Sequence, residues 1–124
     1  MIRRGRDEQE PISQDTLPDA QPLQQEAWRA ALDLYRDENC RYFRVADILP
    51  IYGCLCDYAL GRGMDVRAQR IAERHLAVLT ETARRVEADA KSELPEAWSR
   101  VKQSLAQAIR VFRKITASQR PARH

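Results

Sequence analysis

Apolar residues recur along this chain at alternating steps of three and four, the period that lines one face of an α-helix. Ala72, Leu76, Leu79, Ala83, Val86 and Ala90 form one such stripe, and Trp98, Val101, Leu105, Ala108, Phe112 and Ile115 form another. Asp65 is placed to cap the first of these helices, which is expected to reach about Lys91, and the second is expected to begin around Pro95. Sustained three-and-four spacing suits helices packed nearly antiparallel, so a short link at Ser92–Leu94 predicts a hairpin.

Two further helices are expected upstream. One starts at Pro22, where a missing N–H does no harm, and runs to about Glu38. Ala27, Trp28, Ala31, Leu32, Leu34 and Tyr35 make its apolar face, opposite Arg29, Asp33, Arg36 and Asp37. The other runs from an Asp47 cap, with Pro50 in its first turn, to about Leu60. Ile51, Tyr52, Leu55, Tyr58, Ala59 and Leu60 surround its axis, and Asp57 is its only charge past the cap. A helix apolar all round is expected at the centre of the fold, or beneath a second copy of the chain. Gly61-Arg62-Gly63 closes it. No segment alternates with period two. The chain therefore reads as all-α: a four-helix bundle-like single domain over residues 22–118, with a flexible N-terminal arm at 1–21 and a basic tail at 119–124.

Composition agrees with that picture. Of 124 residues 44% are apolar and 31% charged, which suits one globular core. Cys40, Cys54 and Cys56 are an odd number lying in or beside apolar segments, as expected of reduced thiols in a cytoplasmic protein rather than a disulfide scaffold. Arg3, Arg4 and Arg6 precede no apolar run of the kind a leader needs, and Ile48–Leu60 is interrupted by Pro50, Gly53 and Asp57. A soluble protein with no membrane partner is expected.

Charge adds the one functional hint. Residues 1–60 carry a net −4 and residues 61–124 a net +7, and no acidic residue follows Glu96. On a helical wheel Arg67, Arg70, Arg74 and Arg85 point away from one seam, and Arg100, Lys102, Arg110, Arg113 and Lys114 flank or oppose the other. If the seams pair, these side chains share one solvent-facing cationic surface. Such a surface binds DNA or RNA through phosphates by releasing condensed counterions, without reading bases. Arg44 and Tyr42, within Arg41-Tyr42-Phe43-Arg44, extend it in this reading, although Phe43 is expected to plug the end of the core. The alternative partner is an acidic protein surface, met by an adaptor or self-associating homo-oligomeric subunit whose apolar second helix and Trp98 need a partner to cover them.

Catalytic readings find little support. Residues 54 and 56 of a helix point about 200° apart, so Cys40, Cys54, Cys56 and His75 are not expected to share a metal ion. No paired carboxylates stand on an apolar background, and no glycine-rich loop precedes a helix. The basic last helix has the amphipathicity of a membrane-surface helix, but its narrow seam suits another helix better. No catalytic residue, metal or cofactor is expected, and the chain is not expected to be an enzyme.

Overall fold

A computed structural model describes residues 16–90 and 94–119, and over these the chain is helical with no strand. Five helices follow one another: α1 (Pro22–Leu34), α2 (Asp37–Tyr42), α3 (Val45–Ala59), α4 (Val66–Asp89) and α5 (Ala97–Gln119). Residues 1–15 of the expected arm and 120–124 of the expected tail lie outside the described residues. The rest of that arm is not all detached. Leu17 is buried in the core, and its backbone N–H donates to Gln25 Oε1 at 3.0 Å while its carbonyl accepts from Gln25 Nε2.

The apolar helix the sequence pattern singles out, α3, shares the centre of the fold with α1: α3 packs on α1 and α4, and α1 packs on α3 and α5. Ala27, Ala30, Ala31 and Leu34 of α1 are wholly buried. Small side chains let neighbouring helix backbones come close, and three alanines on one helix let it receive two neighbours. The expected helix through Glu38 stops at Leu34 instead. Asn39, buried in α2, turns its Nδ2 back to donate to the Asp33 carbonyl at 2.8 Å, satisfying a terminal acceptor of α1 from outside the helix. Phe43 does plug the end of the core, and Tyr42 lies edge-on against the buried Trp98 at 4.8 Å between ring centroids. Trp98 therefore needs no partner to cover it.

Helix α3 begins earlier than its sequence suggests. Arg44 occupies the cap, Asp47 falls inside the first turn, and Pro50 sits within the helix, where it removes a backbone hydrogen bond. Asp47 forgoes capping for a tertiary role. Its buried carboxylate lies 2.9 Å from His75 Nδ1 of α4 and accepts from Arg44 Nε at 3.2 Å. The Cys54 thiol adds a second tie to α4, donating to the Ala68 carbonyl at 3.4 Å. Asp65 caps α4 as expected, accepting from the Arg67 backbone N–H at 3.0 Å. Gly61 and Gly63 make the preceding turn with φ of 75° and 80°.

The last two helices are a loose pair. Each packs more extensively on another element, α4 on α3 and α5 on α1. Near their connection they are joined by Glu87, which accepts from Trp98 Nε1 at 3.0 Å and pairs with Lys102 at 2.7 Å. Farther along, a groove of about 290 Å³ opens between them, lined by Glu73, Leu76, Ala77 and Thr80 from α4 and Ile109, Phe112, Arg113 and Thr116 from α5.

Candidate nucleic-acid interface

The cations expected to act together divide into two groups. In the first, charge is met by the chain's own carboxylates. Arg100 of α5 pairs with Glu38 at 3.2 Å, and Lys114 pairs with Glu26 at 3.0 Å, both acids from the first half of the chain. Arg85 and Arg84 share Glu81 at 3.3 and 2.6 Å. Arg44 is held by Asp47. Apart from the one on buried Asp47, these pairs are largely solvent-exposed and contribute little stability each, but they reduce the local positive potential. Glu81 and Glu87 are both held below the usual carboxylate range, Glu81 chiefly by the Arg84 hydrogen bond and Glu87 chiefly by that from Lys102.

The second group comprises Arg67, Arg70 and Arg74 of α4 with Arg110 and Arg113 of α5. All five are exposed, and none is paired with a carboxylate among the described residues. Antiparallel pairing brings them to the same end of the two helices, the end remote from the connection. Arg113 lines the groove, with Glu73 across it as the only acid in its lining. Exposed guanidinium groups suit bidentate contact with phosphate or carboxylate oxygens.

Tyr42 and Arg44 do not extend this cluster. Tyr42 is half-buried against Trp98, at the opposite end of α5, and Arg44 is directed at Asp47. Arg36, Glu38, Arg41 and Arg100 line a separate hollow near α2, where Asp37 and Glu38 offset much of the positive charge.

The three thiols are held toward their neutral form. Burial pushes Cys54 up to about 11 and also raises Cys40 and Cys56, so neutral thiols dominate at ordinary pH. The polar contact that sequence reasoning missed is Asp47–His75, whose members are 28 positions apart with no local pattern linking them. No family model, curated protein or solved structure matches the chain.

Proposed function

We propose that this chain is a non-enzymatic accessory protein of the cytoplasm, a four-helix bundle-like domain of α1, α3, α4 and α5. It contacts nucleic acid through phosphates at the open end of α4 and α5. One observation carries the reading: Arg67, Arg70, Arg74, Arg110 and Arg113 lie on the halves of α4 and α5 remote from their connection without carboxylate partners among the described residues, while Arg85, Arg100 and Lys114 are engaged elsewhere. The interface is thus narrower than the full set of basic residues suggests.

The size of the cluster sets what binding can look like. If all five arginines meet phosphates, the logarithm of affinity falls with that of salt at a slope of about −4 to −5. Between about 50 and 200 mM salt that is a loss of several hundred-fold. Titration of duplex DNA, single-stranded DNA and RNA across that range tests the proposal. The expected result is sequence-independent binding, with a slope shallower by about 2 in the Arg110→Gln/Arg113→Gln variant. No binding at low salt, or a slope indifferent to that variant, overturns it.

A second reading, an adaptor or self-assembling subunit without nucleic acid, is favoured by a different feature. Val45, Leu49 and Leu60, on α3 and at its end, are 40–44% exposed.

A further inference from the structure

We propose that the outer face of α3 is a self-association surface, on which a second copy of this chain packs antiparallel about a two-fold axis near Gly53. The inference stands whether or not the arginine cluster binds nucleic acid.

Helix α3 buries Ile48, Ile51, Cys54 and Leu55, and packs on α1 and α4. What remains outside is still apolar. Exposed Val45, Leu49 and Leu60, with half-buried Tyr52 and Cys56 that also pack on the core, follow at steps of four, three, four and four, the spacing of a seam that receives another helix. Tyr35 from the end of α1 widens the stripe, its ring 5.0 Å from that of Tyr52. Among the described residues, a single copy of the chain therefore leaves part of one side of this apolar helix uncovered.

Gly53 is an independent sign. A glycine in a helix interior weakens it relative to alanine and persists where a turn, a positive φ or a close neighbour requires it. None of these applies within one molecule: Gly53 is not among the positive-φ residues, and a Cβ built there meets nothing within 4 Å. Its place at the middle of the stripe is where two crossing helices approach most closely. The chain gives up helix strength here with no close neighbour among the described residues to require it.

Charge selects a second copy over an unrelated partner. From Val45 to Ala59 the only charges are Asp47, which is buried, and Asp57, which is paired with Arg62 at 3.4 Å. Arg41, without a carboxylate partner among the described residues, stands before the amino end and the carbonyl end of the helix dipole stands at the other, while Arg44 and Asp57 are already paired with Asp47 and Arg62. Antiparallel apposition sets unlike ends together, so the face complements itself. The strongly basic surfaces of α4 and α5 would repel a copy. Pairing through α3 turns α5, which packs on the far side of α1, away from the two-fold axis. The exposed apolar stripe is smaller than the roughly 800 Å² per partner of a standard interface, so a weak, reversible dimer is expected.

Sedimentation equilibrium of the intact, nuclease-treated chain tests this, with concentration raised from about 1 to 500 µM at both low and high salt. The expected result is reversible doubling of the 14.3 kDa mass that survives high salt. Leu49→Glu should weaken it at least thirtyfold, whereas Val78→Glu, at a similarly exposed apolar site on α4, should leave it unchanged. Gly53→Leu gives the opposing pair of readouts that a merely structural glycine would not: a more heat-resistant monomer and a weaker dimer. A monomer at every concentration overturns the proposal. So do an association abolished by salt, a trimer, or a dimer indifferent to Leu49→Glu.

Discussion

Helices α4 and α5 share a seam spacing and a generous supply of arginine, yet they occupy different environments. On α5, Trp98, Val101, Leu105, Ala108, Val111, Phe112 and Ile115 are buried, whereas α4 buries Ala72, Leu76 and Leu79 and leaves Ile71 and Val78 about two-fifths exposed. Their cations differ in the reverse sense to the one the sequence suggests. Along the chain α4 is diluted by Glu73, Glu81 and Glu87, and α5 by nothing. In three dimensions α5 has Arg100 and Lys114 tied to acids 62 and 88 positions away, and Lys102 tied to Glu87. Arg67, Arg70 and Arg74 of α4 have no such counterparts among the described residues. A helix that packs deeply among its neighbours meets their charges as well as their apolar groups, so charge counted along one helix does not give its local potential.

The contrast in packing gives the largest expected effect. Ile115→Ala should cost about 2–5 kcal/mol in urea unfolding, while Val78→Ala should fall within about 0.5 kcal/mol of the parent. Equal costs would break the comparison. Next comes the tie that compensates the shallow packing of α4. His75→Ala leaves the buried Asp47 with Arg44 as its remaining side-chain partner and should cost about 1–3 kcal/mol, measured in the same way.

The contrast in charge is sharpened by releasing the paired cations. Glu26→Gln/Glu38→Gln frees Lys114 and Arg100, which should make the salt dependence of DNA binding steeper by up to about 2. An unchanged slope would show that the two cations lie outside the nucleic-acid path. The smallest effect concerns Glu87, whose ionised form Lys102 favours. Its depressed folded value means that its contribution is present above the usual glutamate range and lost as pH falls through the lower folded value. Lys102→Gln should move the Glu87 titration upward, observed by carboxyl NMR, and flatten the acid limb of the stability curve.

The all-helical class, the Asp65 cap and the glycine turn after α3 were legible because each depends on neighbours within a few positions. The break between α1 and α2 was not, because the tertiary contacts of Asn39 compete with continued helix. The apolar-all-round pattern pointed to α3 as central, and α3 does lie between α1 and α4; that α1 shares this position was hidden, because its alanines show their role only once α3 and α5 are packed on them. At the candidate interface Arg67, Arg70, Arg74, Arg110 and Arg113 are exposed without carboxylate partners among the described residues, while Tyr42 and Arg44 are engaged by Trp98 and Asp47. The pairings that removed Arg100 and Lys114 span the length of the chain and leave no local trace.

Ala27, Ala30 and Ala31 also act as a thickness gauge. With no exposed surface left on any of them, a leucine at one would wedge α3 and α5 apart, at about 1–3 kcal/mol of overpacking strain. The two outer surfaces would then shift relative to each other, although the enlarged side chain touches neither. The width of the molecule, and with it any geometry requiring both surfaces at once, is set by three methyl groups at its middle.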